Sequence, residues 1–171
     1  MTQGVLVVGY GNALRTDDGI GWHAADRLAD DPRLDGATVL RRHQLTPELA
    51  FDISEATMVV LVDARHGPPA GTISVEQISP REPRARGDDA ATTDPAGSVG
   101  TTWSHHLGPT TLVALAGELY GQSPEVFVVS CGTHSLEMGE RLSPLVQAAL
   151  PLVVDAVADL VASHAAALHH A

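Results

Sequence analysis

Residues 5–21 read VLVVGYGNALRTDDGIG, and this stretch decides the fold. Its first four residues, Val5 to Val8, are all large and apolar, which is typical of a short strand buried on both faces. Gly9 ends that run, and a polar loop leads to residues 19–29, where apolar side chains recur at helical spacing. A buried strand followed by a loop and an amphipathic helix predicts the start of a βαβ unit.

The same alternation continues along the chain. Strands are predicted at residues 5–8, 37–40, 58–62, 71–78 and 125–130, with 71–78 at an edge, and helices at 19–29, 47–56, 107–120 and 143–167. The pattern predicts a single α/β domain over residues 1–171, built as three α/β/α layers around a twisted, mainly parallel sheet. Residues 79–101 are rich in proline, glycine and charge and lack an apolar period, so we predict a mobile loop there.

The charge balance excludes one class of partner. The 171 residues include 21 acidic and 10 basic residues, giving a formal net charge of −11, and every basic residue is arginine. Such a field repels a polyanion and attracts cations, so we expect no nucleic-acid partner.

The cysteine count and the hydropathy of the chain indicate the cellular compartment in which the protein is expected to work. A single cysteine, Cys131, excludes an intramolecular disulfide framework and a multi-cysteine metal site. No uninterrupted apolar run approaches the roughly 18 residues of a membrane span, and the first residues lack the basic region of a signal peptide. We therefore expect a cytoplasmic protein that does not bind membranes.

The loop after the first strand raises the possibility of a dinucleotide site. The G-x-G at residues 9–11 matches part of that fingerprint, and the arginine pair at 41–42 would suit a 2′-phosphate. Leu14, however, occupies the position of the third glycine. Asp17 and Asp18 precede the helix, where their carboxylates would repel a pyrophosphate. This combination disfavours a nucleotide.

Polar groups at three predicted element ends suggest a metal site instead. One of Asp17 and Asp18 is expected to cap the first helix, which leaves the other to face the crevice at the carboxyl ends of the strands. Asp63 directly follows the most apolar strand, where the alternative is an aspartate that only caps the next turn. His105 and His106 precede a helix start. Two carboxylates and an imidazole suit zinc or nickel and predict a metal-binding α/β protein, with hydrolysis as one possible activity.

Several segments, in this order, resemble one enzyme family. Residues 9–21 resemble the opening motif of the [NiFe] hydrogenase maturation endopeptidases, which trim the C-terminal extension from the hydrogenase large subunit. The similarity continues through residues 62–64, 105–108 and 135–144, and so spans nearly the whole chain. It implies a twisted sheet between helices, in agreement with the periodicity.

The resemblance also assigns roles to individual residues. It implies that Asp18, Asp63 and His105 are both the catalytic and the metal-contacting residues of an aspartyl-type endopeptidase, with a shift from His105 to His106 left open. It implies no resident cofactor: the nickel belongs to the large-subunit precursor, and zinc or another divalent ion substitutes for it.

The sequence departs from the family pattern in two places and leaves two alternatives. Residues 41–49 replace an Asp-Gly-Gly-Thr-like segment, and the 79–101 stretch is longer than usual, so the partner hydrogenase is not identified. One alternative is a nickel-binding chaperone without proteolytic activity. The other is a hydrolase that uses Cys131 with His134.

Overall fold

Strands and helices alternate through the residues that the structure, a computed structural model, describes: 4–67, 69–79, 107–122 and 124–169. The strands are β1 (Val5–Tyr10), β2 (Thr38–Arg42), β3 (Met58–Arg65), β4 (Ile73–Ile78) and β5 (Glu125–Gly132). The α-helices are α1 (Ile20–Ala29), α2 (Leu49–Ser54), α3 (Pro109–Tyr120) and α4 (Pro144–His169). The predicted loop at 79–101 lies outside the described residues, apart from residue 79.

The strands form one sheet in the order β2-β1-β3-β5-β4. All neighbours are parallel except β4, which runs antiparallel to β5 along one edge. The middle four residues of β4 are exposed, as befits an edge strand. The predicted mainly parallel sheet and its edge strand are confirmed.

Helices cover both faces of the sheet. Along β1, Val5 and Val7 pack into the apolar cluster that contains α1 and α4, while the intervening Leu6 and Val8 pack into the cluster that contains α2 and α3. This period of two is the reason why a strand with no polar residue is buried on both sides. The predicted three layers are therefore confirmed.

Two glycines bring α1 against the sheet. A Cβ atom on Gly9 would lie 2.0 Å from the carbonyl oxygen of Gly21, and one on Gly21 would lie 2.4 Å from the carbonyl oxygen of Tyr10. Neither distance is possible for a real side chain, so this close approach requires glycine at both positions. It places the start of α1 and the preceding acidic pair beside the carboxyl end of β1.

Helix α4 is both long and strongly apolar. Its residues Pro144–Leu168 meet the length and composition expected of a membrane-crossing helix, with a mean hydropathy of 1.8. The apolar character has another explanation, because Val146, Val153, Val157 and Val161 are fully buried against the sheet. Full burial of one such side chain contributes about 1.5–3 kcal/mol. Pro151 lies inside the helix with its side chain exposed.

Several predicted boundaries differ from the structure. Helix α2 begins at Leu49 rather than residue 47, and the N–H of Leu49 bonds to the carbonyl oxygen of Thr46 in a tighter turn. Glu48 is the N-cap of α2 and makes no side-chain cap bond. Strand β3 continues to Arg65 because β5 pairs with it that far, so Asp63 lies inside the strand rather than after it.

A histidine near the C-terminus of α4 joins the helix to the far end of the sheet. His164 Nδ1 lies 3.2 Å from Glu125 Oε2, and its Nε2 lies 3.2 Å from Thr57 Oγ1. We expect His164→Ala to lower the free energy of unfolding by about 1–2 kcal/mol, the net value of two hydrogen bonds. Urea denaturation measures this, with the exposed His43→Ala as the matched control. Equal losses in the two variants would contradict the assignment.

Candidate active site

A cleft of about 640 Å³ opens at the carboxyl ends of β1 and β3. Its walls come from these strand ends, from the loop that follows β1, from residues 43–45 after β2 and from residues 107–109 at the start of α3. Open α/β sheets bind ligands at this end, beyond the carboxyl ends of the strands. The polar groups in the cleft are therefore the first candidates for chemistry.

Asp18 enters the cleft from the short 3₁₀ turn Thr16–Gly19 before α1. Its Oδ2 accepts a hydrogen bond from the backbone N–H of Asn12 at 3.0 Å, and its Oδ1 lies 3.3 Å from His66 Nε2. Gly11 makes the tight loop possible, since it has φ +137° and a Cβ there would lie 2.1 Å from the Asp18 carbonyl oxygen. The loop therefore holds one oxygen of the Asp18 carboxylate, and His66, which follows β3, contacts the other.

Asp63 enters the same cleft from β3. Its Oδ2 accepts a hydrogen bond of 2.7 Å from the hydroxyl of Tyr10 on the neighbouring strand. Burial raises the pKa of Asp63; the Tyr10 hydrogen bond opposes that rise, and the negative charge of Asp18 adds to it. Asp63 therefore holds a proton more readily than an ordinary aspartate does.

Asp17, the other member of the acidic pair, does not face the cleft. Its side chain is fully buried and accepts four hydrogen bonds, from the N–H groups of His134, Ser135 and Ser143 and from the Ser143 hydroxyl. Burial opposes ionisation of Asp17, but these hydrogen bonds outweigh it and lower the pKa. The expectation that one aspartate of the pair caps α1 is wrong. Gly19 is the N-cap and makes no side-chain cap bond, because Asp17 is engaged by a loop far away in sequence.

Backbone hydrogen bonds hold the Asp18 loop against the same distant segment. The N–H of Thr16 bonds to the Gly139 carbonyl at 2.7 Å, and the N–H of Gly139 bonds to the Leu14 carbonyl at 2.9 Å. The Thr16 hydroxyl adds a bond of 2.6 Å to the Glu137 carbonyl. Two of the segments on which the sequence resemblance depends, 9–21 and 135–144, thus form one structural unit.

Comparison with known proteins gives a match only at the level of structure. No family model and no curated protein sequence matches the chain. The solved [NiFe] hydrogenase maturation protease HycI from Thermococcus kodakarensis superposes with a TM-score of 0.64 at 20% identity, covering 94% of this chain and 92% of that one. The chain has the fold of the [NiFe] hydrogenase maturation proteases.

Other structures agree. The hydrogenase maturating endopeptidase HybD from E. coli gives a TM-score of 0.60 at 20% identity, over 90% of this chain and 88% of that one. A hydrogenase 2 maturation peptidase from a Thaumarchaeota archaeon gives 0.62 at 26% identity, over 92% and 97%. The fold implied by the sequence resemblance is therefore confirmed over nearly the whole length of the chain.

Within this maturation-protease fold, the structure brings together two of the three predicted site residues. Asp18 and Asp63 line the same cleft. His105 and the alternative His106 lie outside the described residues, although Leu107, two positions after His105, belongs to the cleft wall. Among the described residues, no three His, Cys, Asp or Glu side chains are arranged to hold a metal ion.

Sequence reasoning missed two groups in the cleft. His66 and Tyr10 contact Asp18 and Asp63 respectively, and neither was among the predicted site residues. A signal for His66 existed, since it follows Asp63 by three residues at the end of a central strand. Tyr10 carried no such signal, because its role depends on which strand lies beside it.

The surroundings of Cys131 disfavour the alternative cysteine hydrolase. Its side chain is 1% exposed in β5 and packs in the apolar cluster with α1 and α4. Burial raises the pKa of the thiol, and the charge of Asp17 raises it further. Reactive cysteines have a lowered pKa and partial exposure, which is the opposite arrangement.

Proposed function

We propose that this protein is an endopeptidase that removes the C-terminal extension of a [NiFe] hydrogenase large-subunit precursor after nickel insertion. The observation that supports it most is the pairing of Asp18 and Asp63 in one cleft of the maturation-protease fold. Among the residues that the structure describes, these are the acidic side chains that line the cleft, and both correspond to the family motif.

In this proposal, nickel arrives as part of the substrate. The carboxylates of Asp18 and Asp63 bind it, and His105, or His106 in its place, supplies an imidazole. Oxygen and imidazole donors suit nickel, and zinc or another divalent ion would occupy the same ligands. This proposal requires no resident cofactor.

The proposed chemistry is hydrolysis of one peptide bond. The metal polarises the scissile carbonyl or activates a water molecule. A carboxylate takes the water proton as the oxygen attacks the carbonyl carbon, and the proton passes to the leaving amine as the C–N bond breaks. Asp63 suits the role of base, because it lies in the cleft and burial raises its pKa above that of an ordinary aspartate.

The cleft wall also bears on which precursor is bound. His43 and Gln44, in the segment that departs from the family pattern, line the cleft beside the proposed metal ligands. We propose that they contact the precursor and set its identity. We further expect the protein to act in the cytoplasm, with no nucleic-acid or membrane partner.

Incubating the purified protein with candidate large-subunit precursors tests this function. We expect one precursor to lose a single C-terminal peptide, seen as a mass decrease, and the others to remain intact. Tight binding of Ni²⁺ by the isolated protein without loss of mass from any precursor would instead support the nickel chaperone.

A further inference from the structure

The ring of Tyr10 is buried in the apolar core, and its hydroxyl lies in the polar cleft. It is the last residue of β1 and only 9% exposed, and its ring belongs to the apolar cluster under α2 and α3. Its hydroxyl reaches the cleft and meets Asp63 Oδ2 at 2.7 Å. The fold therefore fixes the ring, and the ring fixes the position of the hydroxyl.

The pairing of strands explains why this hydroxyl meets that carboxylate. Gly9 of β1 lies opposite Val62 of β3, so the residues that follow them, Tyr10 and Asp63, are neighbours across the two strands. Cross-strand neighbours on one face are close enough to interact directly. The hydrogen bond is thus a product of the sheet register.

We propose that Tyr10 is a positioning residue for the reaction: its hydroxyl holds the Asp63 carboxylate in the orientation that meets the substrate's metal. The proposal rests on the proposed function. An aspartate turns about two side-chain bonds, and a fixed donor removes that freedom before substrate binds. Asp18 is held in an equivalent way by the Asn12 N–H and by His66.

Packing alone does not account for a tyrosine here. Phenylalanine would fill the same apolar space without bringing a hydroxyl into a cleft. What distinguishes tyrosine from phenylalanine is therefore the bond to Asp63.

The decisive variant is Tyr10→Phe, with Tyr120→Phe as its matched control. Tyr120 is 45% exposed on α3 and stacks edge-on against Phe51, away from the cleft. We expect Tyr10→Phe to lower kcat for trimming on the order of 10-fold, as loss of a group that orients a metal ligand commonly does. Tyr120→Phe should trim at the wild-type rate, and thermal melts should show both variants folded.

A second readout does not depend on proteolysis. Calorimetric titration with Ni²⁺ alone should show weaker binding for Tyr10→Phe than for wild type, and no further weakening when Tyr10→Phe is added to Asp63→Asn. A tyrosine with only a structural role would instead weaken Ni²⁺ binding equally with and without Asp63.

The outcomes separate the two proposals. A wild-type protein that binds Ni²⁺ but trims no precursor overturns the proposed function, while the titration still decides the role of Tyr10. Equal behaviour of Tyr10→Phe and Tyr120→Phe in both assays, or equal weakening with and without Asp63, overturns the positioning role. A wild-type protein that neither trims nor binds Ni²⁺ overturns both.

Discussion

Alanine in place of Asp18 or Asp63 is expected to slow trimming of nickel-loaded precursor on the order of 10³-fold or more. Each substitution removes one of the two carboxylates that face the cleft. The fold should survive, since both side chains lie at the cleft rather than in the apolar clusters. Initial trimming rates, followed by precursor mass, measure the effect.

An acid elsewhere provides the matched control for these variants. Asp52 is an exposed carboxylate on α2, outside the cleft wall, and Asp52→Ala should trim at the wild-type rate. Circular dichroism should show the same fold for all three variants. Normal trimming by either cleft variant would show that the family's roles do not transfer to these residues.

Asp17→Ala should cause the largest loss of stability, about 3–5 kcal/mol, because it leaves buried hydrogen-bond donors without an acceptor. Four donors converge on this carboxylate, from segments 117 to 126 residues away in sequence. Urea denaturation at pH 7 measures the loss. A change below about 0.5 kcal/mol, as at an ordinary surface site, would contradict the role of Asp17 as an anchor.

The acid dependence of stability gives a second readout for Asp17. Its pKa is lowered in the folded state, so its contribution is complete above the unfolded value of about 3.9 and is lost as pH falls through the folded value. Asp17→Asn keeps the volume and removes the charge. Asp17→Asn should therefore lose less stability on acidification than the wild type does, whereas Asp18→Asn should lose as much as the wild type.

Sequence periodicity was sufficient to predict the layers of the fold, because a strand that is buried on both faces has a recognisable sequence without polar residues. A run such as Val5 to Val8 has no polar residue, and only a strand covered by helices on both sides tolerates that. No sequence pattern indicated that β4 runs antiparallel to β5, since apolar and polar residues alternate in an exposed edge strand in the same way for either direction. Strand ends were also missed, because pairing with β5 extends β3 beyond its apolar run.

Only the part of the site that follows from chain topology was predictable from the sequence. Asp18 and Asp63 follow from the rule that parallel strands end at one edge of the sheet. The contacts of Tyr10 and His66, and the burial of Asp17, depend on partners distant in sequence. No local pattern encodes such partners, which is why one aspartate of the pair was expected to cap α1.

The most direct test compares one precursor in two states. Nickel-loaded and nickel-free aliquots of the same large-subunit precursor are incubated with the purified protein, and their intact masses are followed. The account predicts that only the nickel-loaded precursor loses a single C-terminal peptide. Equal trimming of both aliquots, or no trimming of either by a folded protein, would contradict it.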